Sequence, residues 1–296
     1  MDKQSTLLEV TNLTKDFGNS KGIFDVNFSA GPGEIIGFVG PNGAGKSTTI
    51  NILTGLISAD SGNVEILNTS VTPTSAHQLM KQLGIMYSES TLDESKTAAQ
   101  VFKDTERLIG KDCSEAWQSI AKQFELDITK RIKKLSLGNK KKVAAIRALM
   151  HKPELIIMDE PTSGLDPIIK DGFMNMLRSA ANQGATVLLS SHDLSEVQHI
   201  CTRIIMIKNG KIIIDDTTSD ILGKLQRRFR LIKPDKALVD AITKQTGAED
   251  VQTSDDQLII HTSEYQKVIE IMEKAKFYDY FIEQPSLEDA FKEKYV

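Results

Sequence analysis

The chain has 296 residues and a formal net charge of −4, with 40% hydrophobic and 26% charged residues. That is enough apolar side chain for one large core or two ordinary ones, and it excludes a wholly disordered chain. The longest stretch without Asp, Glu, Lys or Arg is the fifteen residues 66–80, rich in Asn, Ser, Thr and Pro, which falls short of the roughly 20 apolar residues of a membrane-crossing helix.

In chain order, the opening Met-Asp-Lys-Gln-Ser-Thr has no basic start followed by an apolar run. No secretory signal is expected, and the chain is expected in the cytoplasm. The apolar run 34–39 has the length and flat hydrophobicity of a strand buried on both faces, and 46–56 reads as a helix. Between 88 and 134 strand signals vanish, and 97–108 and 114–124 read as helices of an insertion between sheet strands. Cys113 in this region and Cys201 make neither a disulfide framework nor a metal-ligand spacing, and are expected as small, partly buried hydrophobes. A helical run at 139–149 leads to strands at 155–158 and 186–189. Residues 203–207 and 211–214 form a hairpin about Asn209-Gly210. This alternation predicts an α/β domain over 1–214, with a helical subdomain at about 88–140.

Beyond Asp215 the order is strand 227–232, helix 235–245, strands 249–253 and 257–262, helix 264–274, strand 277–282 and a last helix 286–294. A small α+β domain over 215–296 is therefore expected, βαββαβ and ferredoxin-like. Up to Ile214 the chain has 24 basic and 23 acidic residues; from Asp215 it has 12 and 17. Neither part is basic enough for nucleic acid to be expected as a main partner.

Gly40-Pro41-Asn42-Gly43-Ala44-Gly45-Lys46-Ser47-Thr48 fits G-x-x-x-x-G-K-[ST] between a predicted strand and a predicted helix. Small residues let the backbone curl around phosphate and aim its N–H groups inward at a helix N-terminus. Lys46 then reaches the outer phosphates, and the Ser47 hydroxyl is suited to Mg²⁺. The competing reading, a glycine-rich turn with a chance Lys-Ser, does not account for the flanking strand and helix. Leu155-Ile156-Ile157-Met158-Asp159-Glu160 carries two carboxylates on a buried strand tip. Asp159 is the candidate for Mg²⁺ and Glu160 for polarising an attacking water. Strand ends often finish in solvated acids, but together with the loop these are the parts that phosphoryl transfer needs.

With these motifs the chain resembles the nucleotide-binding subunit of an ATP-binding cassette (ABC) transporter over roughly residues 5–214, and so a P-loop NTPase. Leu135-Ser136-Leu137-Gly138-Asn139 resembles the family signature Leu-Ser-Gly-Gly-Gln, and Ser163-Gly164-Leu165-Asp166 the D-loop. Ser190-Ser191-His192 is similar to the switch-histidine segment, and Phe17 stands where the family has an aromatic under the adenine. Taken singly, Ser136 reads as a helix cap, His192 as a surface histidine and Phe17 as core. Two departures stand out. The Gln expected after the strand ending near Met86 falls to Ser88 or Glu89, and the signature has Leu137 for its first glycine and Asn139 for its glutamine.

The resemblance implies ATP and Mg²⁺ as cofactors, Glu160 and His192 as catalytic residues, and Asp166 as a link between sites. It also implies two chains, a homodimer or a heterodimer, paired head to tail with each signature facing the other's γ-phosphate. A separate integral membrane permease is the implied partner, received by a groove in the insertion after Ser88, with this chain peripheral on the cytoplasmic face. Asp159-Glu160-Pro161-Thr162-Ser163-Gly164-Leu165-Asp166-Pro167 and the tail Pro285–Phe291 look most like bacterial drug, antibiotic or bacteriocin-immunity exporters. The alternatives are a soluble non-transport ABC ATPase and an ATP-binding scaffold with weak hydrolysis. The cluster Lys130, Arg131, Lys133, Lys134, Lys140, Lys141 and Lys142 is expected as a solvated face, with a nucleotide- or headgroup-attracting field as the alternative.

Overall fold

The computed structural model describes residues 6–88, 92–245, 250–254, 257–262, 264–273 and 279–295. They fall into two compact units, Met1–Asp216 and Thr217–Val296.

The first unit opens with β1 (Leu8–Asp16) and β2 (Gly22–Ala30), an antiparallel pair. Then come β3 (Ile35–Val39), α1 (Lys46–Leu53), β4 (Ser61–Ile66), β5 (Thr69–Ser70), α2 (Ala76–Met80) and β6 (Gly84–Met86). The insertion consists of α3 (Ala98–Ile109), α4 (Ser114–Gln123), a short turn of 3₁₀ helix at Ile132–Lys134, and α5 (Leu137–Leu149). The unit closes with β7 (Leu155–Asp159), α6 (Pro167–Asn182), β8 (Thr186–Ser191), α7 (Leu194–Ile200), β9 (Arg203–Lys208) and β10 (Lys211–Thr217).

Two sheets result. One has the order β2-β1-β4-β5 and the other β10-β9-β3-β8-β7-β6. In the second, β9, β3, β8, β7 and β6 run parallel. Every residue of β3, β7 and β8 is buried, because helices leave no face of these strands to water. α1 touches both β2 and β7. One core therefore runs from Leu8, Val26 and Phe28 through Ile50 to Ile36, Ile157 and Leu188. The hairpin turn is Asn209 at φ 50° and Gly210 at φ 75°, the left-handed pair that matches the twist of the strands.

Glu106 makes several of the contacts that hold the helical insertion together. Its Oε1 accepts from the Cys113 N–H at 2.9 Å, from the Trp117 indole Nε1 at 3.0 Å and from the Ser114 hydroxyl at 3.1 Å. That carboxylate on α3 thereby fixes the start of α4, and the Phe102 and Trp117 rings pack with centroids 5.3 Å apart. α3 itself begins in a reciprocal capping box between Thr97 and Gln100 and ends at left-handed Gly110.

The second unit contains α8 (Thr218–Gly223), β11 (Arg227–Ile232), α9 (Lys236–Gln245), β12 (Asp250–Ser254), β13 (Gln257–Thr262), α10 (Tyr265–Met272), β14 (Asp279–Glu283) and α11 (Leu287–Tyr295). Its antiparallel sheet has the order β12-β13-β11-β14, so the first strand of the βαββαβ series lies between the third and the fourth. Phe229, Leu231, Leu258 and Ile260 on one face pack against Leu238, Ile242 and Val268 of the helices. Of the elements expected from the sequence, residues 249, 274, 277 and 278 lie outside the described residues.

Glu106→Ala would orphan three donors at the start of α4. It is expected to cost roughly 2–3 kcal/mol, measured as a lower midpoint in urea unfolding followed by the fluorescence of Trp117, the one tryptophan of the chain.

Candidate functional site

In a parallel sheet the carboxyl ends of adjacent strands share one edge, and the loops that leave them form the crevice. Here that edge is built by β3, β8 and β7, whose register sets Val39 beside Ser191 and Ser190 beside Asp159. Out of β3 runs the loop Gly40–Gly45 into α1. Gly43 and Gly45 have φ of 80° and 115°. The loop is also tightly supported from below. A Cβ on Gly40 would stand 2.2 Å from the Ile207 carbonyl oxygen, and one on Gly45 2.6 Å from Ile23 Cγ2. Gly210 N–H donates to the Ala44 carbonyl at 2.9 Å, so the hairpin turn braces the loop. Pro41, Asn42 and Gly43 are exposed, Thr48 is half-buried, and no side chain caps the amide end of α1 at Gly45. Its free N–H groups and partial positive charge suit a phosphate.

Lys46 is buried and its ammonium lies along the loop, donating to the Gly40 carbonyl at 2.7 Å. Burial pulls its pKa below the usual lysine range, and the charges of Glu160 and Asp159 oppose that shift. Ser47 Oγ donates to Asp159 Oδ2 at 3.0 Å, and Ser190 Oγ donates to Asp159 Oδ1 at 2.5 Å. The Ser47 hydroxyl and Asp159 carboxylate are hard oxygen donors, the kind that Mg²⁺ takes together with waters and phosphate oxygens. Among the described residues no three His, Cys, Asp or Glu side chains form a metal cage without such help.

Glu160 follows at the tip of β7 with φ 48°, a left-handed backbone that L residues rarely adopt. Three groups hold it there. Its N–H donates to Ser190 Oγ at 3.0 Å, its carbonyl accepts from Lys141 Nζ at 3.1 Å, and its Oε2 meets His192 Nδ1 at 2.6 Å. A carboxylate only accepts, so Nδ1 is the donor in this pair. His192 is exposed, whereas Glu160 is largely covered. Just beyond, Thr162 Oγ1 donates to Glu196 Oε2 at 2.6 Å, and Lys170 pairs with Glu196 Oε1. The hydrogen bond to Glu196 pushes the Lys170 pKa up. The loop after β7 is thereby tied to α6 and α7.

Other predicted residues stand apart from this cluster. Ser136 caps α5, accepting from Asn139 N–H at 3.3 Å, and Asp166 caps α6, accepting from Ile169 N–H at 3.1 Å. Leu135 is buried, whereas Leu137 is exposed. A Cβ on Gly164 would lie 3.5 Å from Leu137 Cδ2, and one on Gly138 3.8 Å from Leu165 Cδ2. The signature-like and D-loop-like segments of one chain are therefore neighbours, with Leu137 and Ile168 outward. Phe17, on the turn after β1, is exposed and has Lys15 Nζ 5.8 Å from its ring centroid. Ser88 is exposed, and Glu89 lies outside the described residues.

The reading of the basic cluster as a solvated face is corrected for two of its members. Lys141 and Lys142 are buried, and the Lys142 amine donates to the Phe124 carbonyl at 2.8 Å. Only Lys140 of that triplet is partly exposed, donating to Glu94 at 2.6 Å. Ser190 and Lys141 were not legible as site residues, because each is one of a run of like neighbours. Both cysteines are buried, and burial raises both thiol pKa values.

A phosphate loop, a carboxylate at the neighbouring strand end and a second carboxylate beside it define a P-loop nucleoside triphosphatase. The ABC transporter family profile matches residues 23–163, and a profile described as AAA domain, putative AbiEii toxin, Type IV TA system, matches 131–197. The bacitracin transport ATP-binding protein of Bacillus licheniformis is 34% identical over 241 residues, which cover 79% of this chain and 78% of that protein. An uncharacterized ABC transporter ATP-binding protein of Bacillus subtilis is 30% identical over 97% of this chain and 95% of its own length. A solved ATP-binding subunit of an ABC transporter superposes with a TM-score of 0.69 at 27% identity, over 73% of this chain and 92% of that one. A dimeric cassette in a post-hydrolysis state with ADP and Pi superposes at 0.62 and 25% identity, over 71% of this chain and 98% of that one. The chain belongs to the ATP-binding proteins of the ABC transporter family, and it is an ATPase.

Lys46→Ala removes the charge that the loop holds for phosphate. It is expected to lose at least about tenfold in ATP affinity, read by titration with a fluorescent nucleotide; unchanged affinity would refute the phosphate-loop assignment.

Proposed function

We propose that the chain is the motor of an exporter for a drug, antibiotic or peptide, and that a separate membrane permease forms its channel. The observation that carries this reading is the linked set Lys46, Ser47, Asp159, Glu160 and His192 at the carboxyl ends of β3, β7 and β8. The name of the bacitracin transport relative supports transport of an antibiotic. The described residues contain no helix long and apolar enough to cross a membrane, which fits a motor that works on another polypeptide at the cytoplasmic membrane face.

In this reading the loop Gly40–Thr48 wraps the phosphates with backbone N–H groups, and Lys46 turns its ammonium from the Gly40 carbonyl to the outer phosphates. Ser47 and Asp159 would hold Mg²⁺, and that ion would supply charge neutralisation at the phosphates. Glu160 accepts the proton of the attacking water, and His192, its hydrogen-bond partner, keeps that carboxylate oriented. Phe17 offers its exposed ring to the adenine. Ser136 and the N-terminal amides of α5 are suited to the γ-phosphate of ATP on a second chain, paired head to tail. The exposed Leu137 and Ile168 beside Asp166 are the surface such pairing would cover. The first unit is the motor, and the second is an accessory domain.

A cleft of about 310 Å³ near Ser88 is lined by Leu83, Ile85, Tyr87, Leu108 and Arg147. Leu108 is exposed there, and the cleft is our candidate seat for a permease helix. Leu108→Glu is expected to leave ATP hydrolysis by the isolated chain intact while reducing recovery of the integral membrane partner from mildly solubilised membranes. Recovery of the wild-type chain without any such partner would overturn the motor reading. Glu160→Gln is expected to lower steady-state ATP turnover by on the order of 10² to 10⁴ while ATP still binds. Turnover unchanged by that substitution would remove Glu160 as the base.

A further inference from the structure

Glu160 holds a left-handed backbone without being glycine, and such a conformation persists only where the surroundings over-determine it. One restraint, the Ser190 hydroxyl, comes from the neighbouring strand β8. Another comes from the insertion. Lys141 Nζ, on the second turn of α5, donates to the Glu160 carbonyl at 3.1 Å. A buried ammonium with a backbone carbonyl as its acceptor is an unusual expenditure of charge, since lysines usually snorkel to water.

Helix geometry gives this contact its consequence. Lys141 lies four residues after Leu137, so the two share a face of α5. Leu137 is the exposed apolar residue of the signature-like segment and borders the D-loop-like turn, where a Cβ on Gly164 would lie 3.5 Å from its Cδ2. Any shift of α5 that moves Leu137 therefore also moves the amine that holds the Glu160 peptide. We infer that Lys141 is a positioning residue for Glu160, and that through it the signature helix sets the pose of the catalytic carboxylate within the same chain. The inference rests on the reading of Glu160 as the base.

Lys142 provides the control. It is the adjacent residue, equally buried, and donates to a backbone carbonyl, Phe124, which belongs to the insertion and not to the site. Steady-state ATP hydrolysis, ATP affinity and thermal unfolding are measured on the full chain for Lys141→Met, Lys141→Arg, Lys142→Met and Glu160→Gln. Lys141→Met is expected to lower kcat about tenfold or more, because small misplacements of a reacting group are costly, with KM within about twofold of wild type. Lys141→Arg, which keeps a donor, is expected to recover most of kcat, and Lys142→Met to lower thermal stability with kcat retained. A kcat for Lys141→Met within about twofold of wild type, beside an inactive Glu160→Gln, would overturn the inference alone. An equal loss of kcat in Lys142→Met would overturn it as well, by making the effect structural. An active Glu160→Gln would instead remove the base on which it rests. Should Lys141→Met fail to fold, Lys141→Gln is judged by the same criteria.

Discussion

The Asp159 carboxylate sits between two hydroxyls, Ser47 Oγ on α1 and Ser190 Oγ on β8, at 3.0 and 2.5 Å. That arrangement depends on the register of three parallel strands. Asp159 lies opposite Ser190 across β7 and β8, and Ser191 lies opposite Val39 across β8 and β3. A slip of one residue in either pairing would turn the alternate side chains to the other face and take Asp159 away from the phosphate loop. The flat, fully buried strands make such a slip costly, since every residue of β3, β7 and β8 is buried. Burial of apolar strands thus sets the distance between a loop that suits phosphate and a carboxylate that suits a metal.

Glu160 is the point at which the remaining pieces meet. Its peptide and carboxylate are held by Ser190 from the sheet, Lys141 from the insertion and His192 from the segment before α7. Two residues on, Thr162 shares Glu196 with Lys170, joining the loop after β7 to α6 and α7. Partly buried ion pairs of this kind specify geometry more than they add stability. The loop carrying the candidate base therefore cannot change shape without moving the helices beside it, a coupling that suits an enzyme whose hydrolysis must be felt elsewhere.

The buried parallel strands, the insertion helices and the Asn-Gly hairpin were legible in the sequence, because each carries a strong periodic or turn signal. The antiparallel sheet formed by β1, β2 and β4 was not. Its strands are interrupted by left-handed Asn12 and Asp25, with shifts of register in the β1–β2 pairing that break the period of two. Lys140, Lys141 and Lys142 look alike as letters, yet successive residues of a helix point about 100° apart. They accordingly reach Glu94, the Glu160 carbonyl and the Phe124 carbonyl. Likewise Ser190 and Ser191 are adjacent serines, and only strand pairing turns the first of them toward Asp159.

By itself the sequence determined that this is an α/β chain with a phosphate loop, a carboxylate-tipped strand and a second α+β segment of more acidic balance. These follow from local rules: glycines where the backbone must bend, flat apolar runs where strands are buried, and two carboxylates where charge is delivered. Only the tertiary structure decided that Asp159 faces Ser47, that Glu160 meets His192, and that two lysines of a basic run turn inward. Those contacts join residues 18 to 112 positions apart. Their geometry comes from strand register and helix phase, which no local pattern of residues encodes.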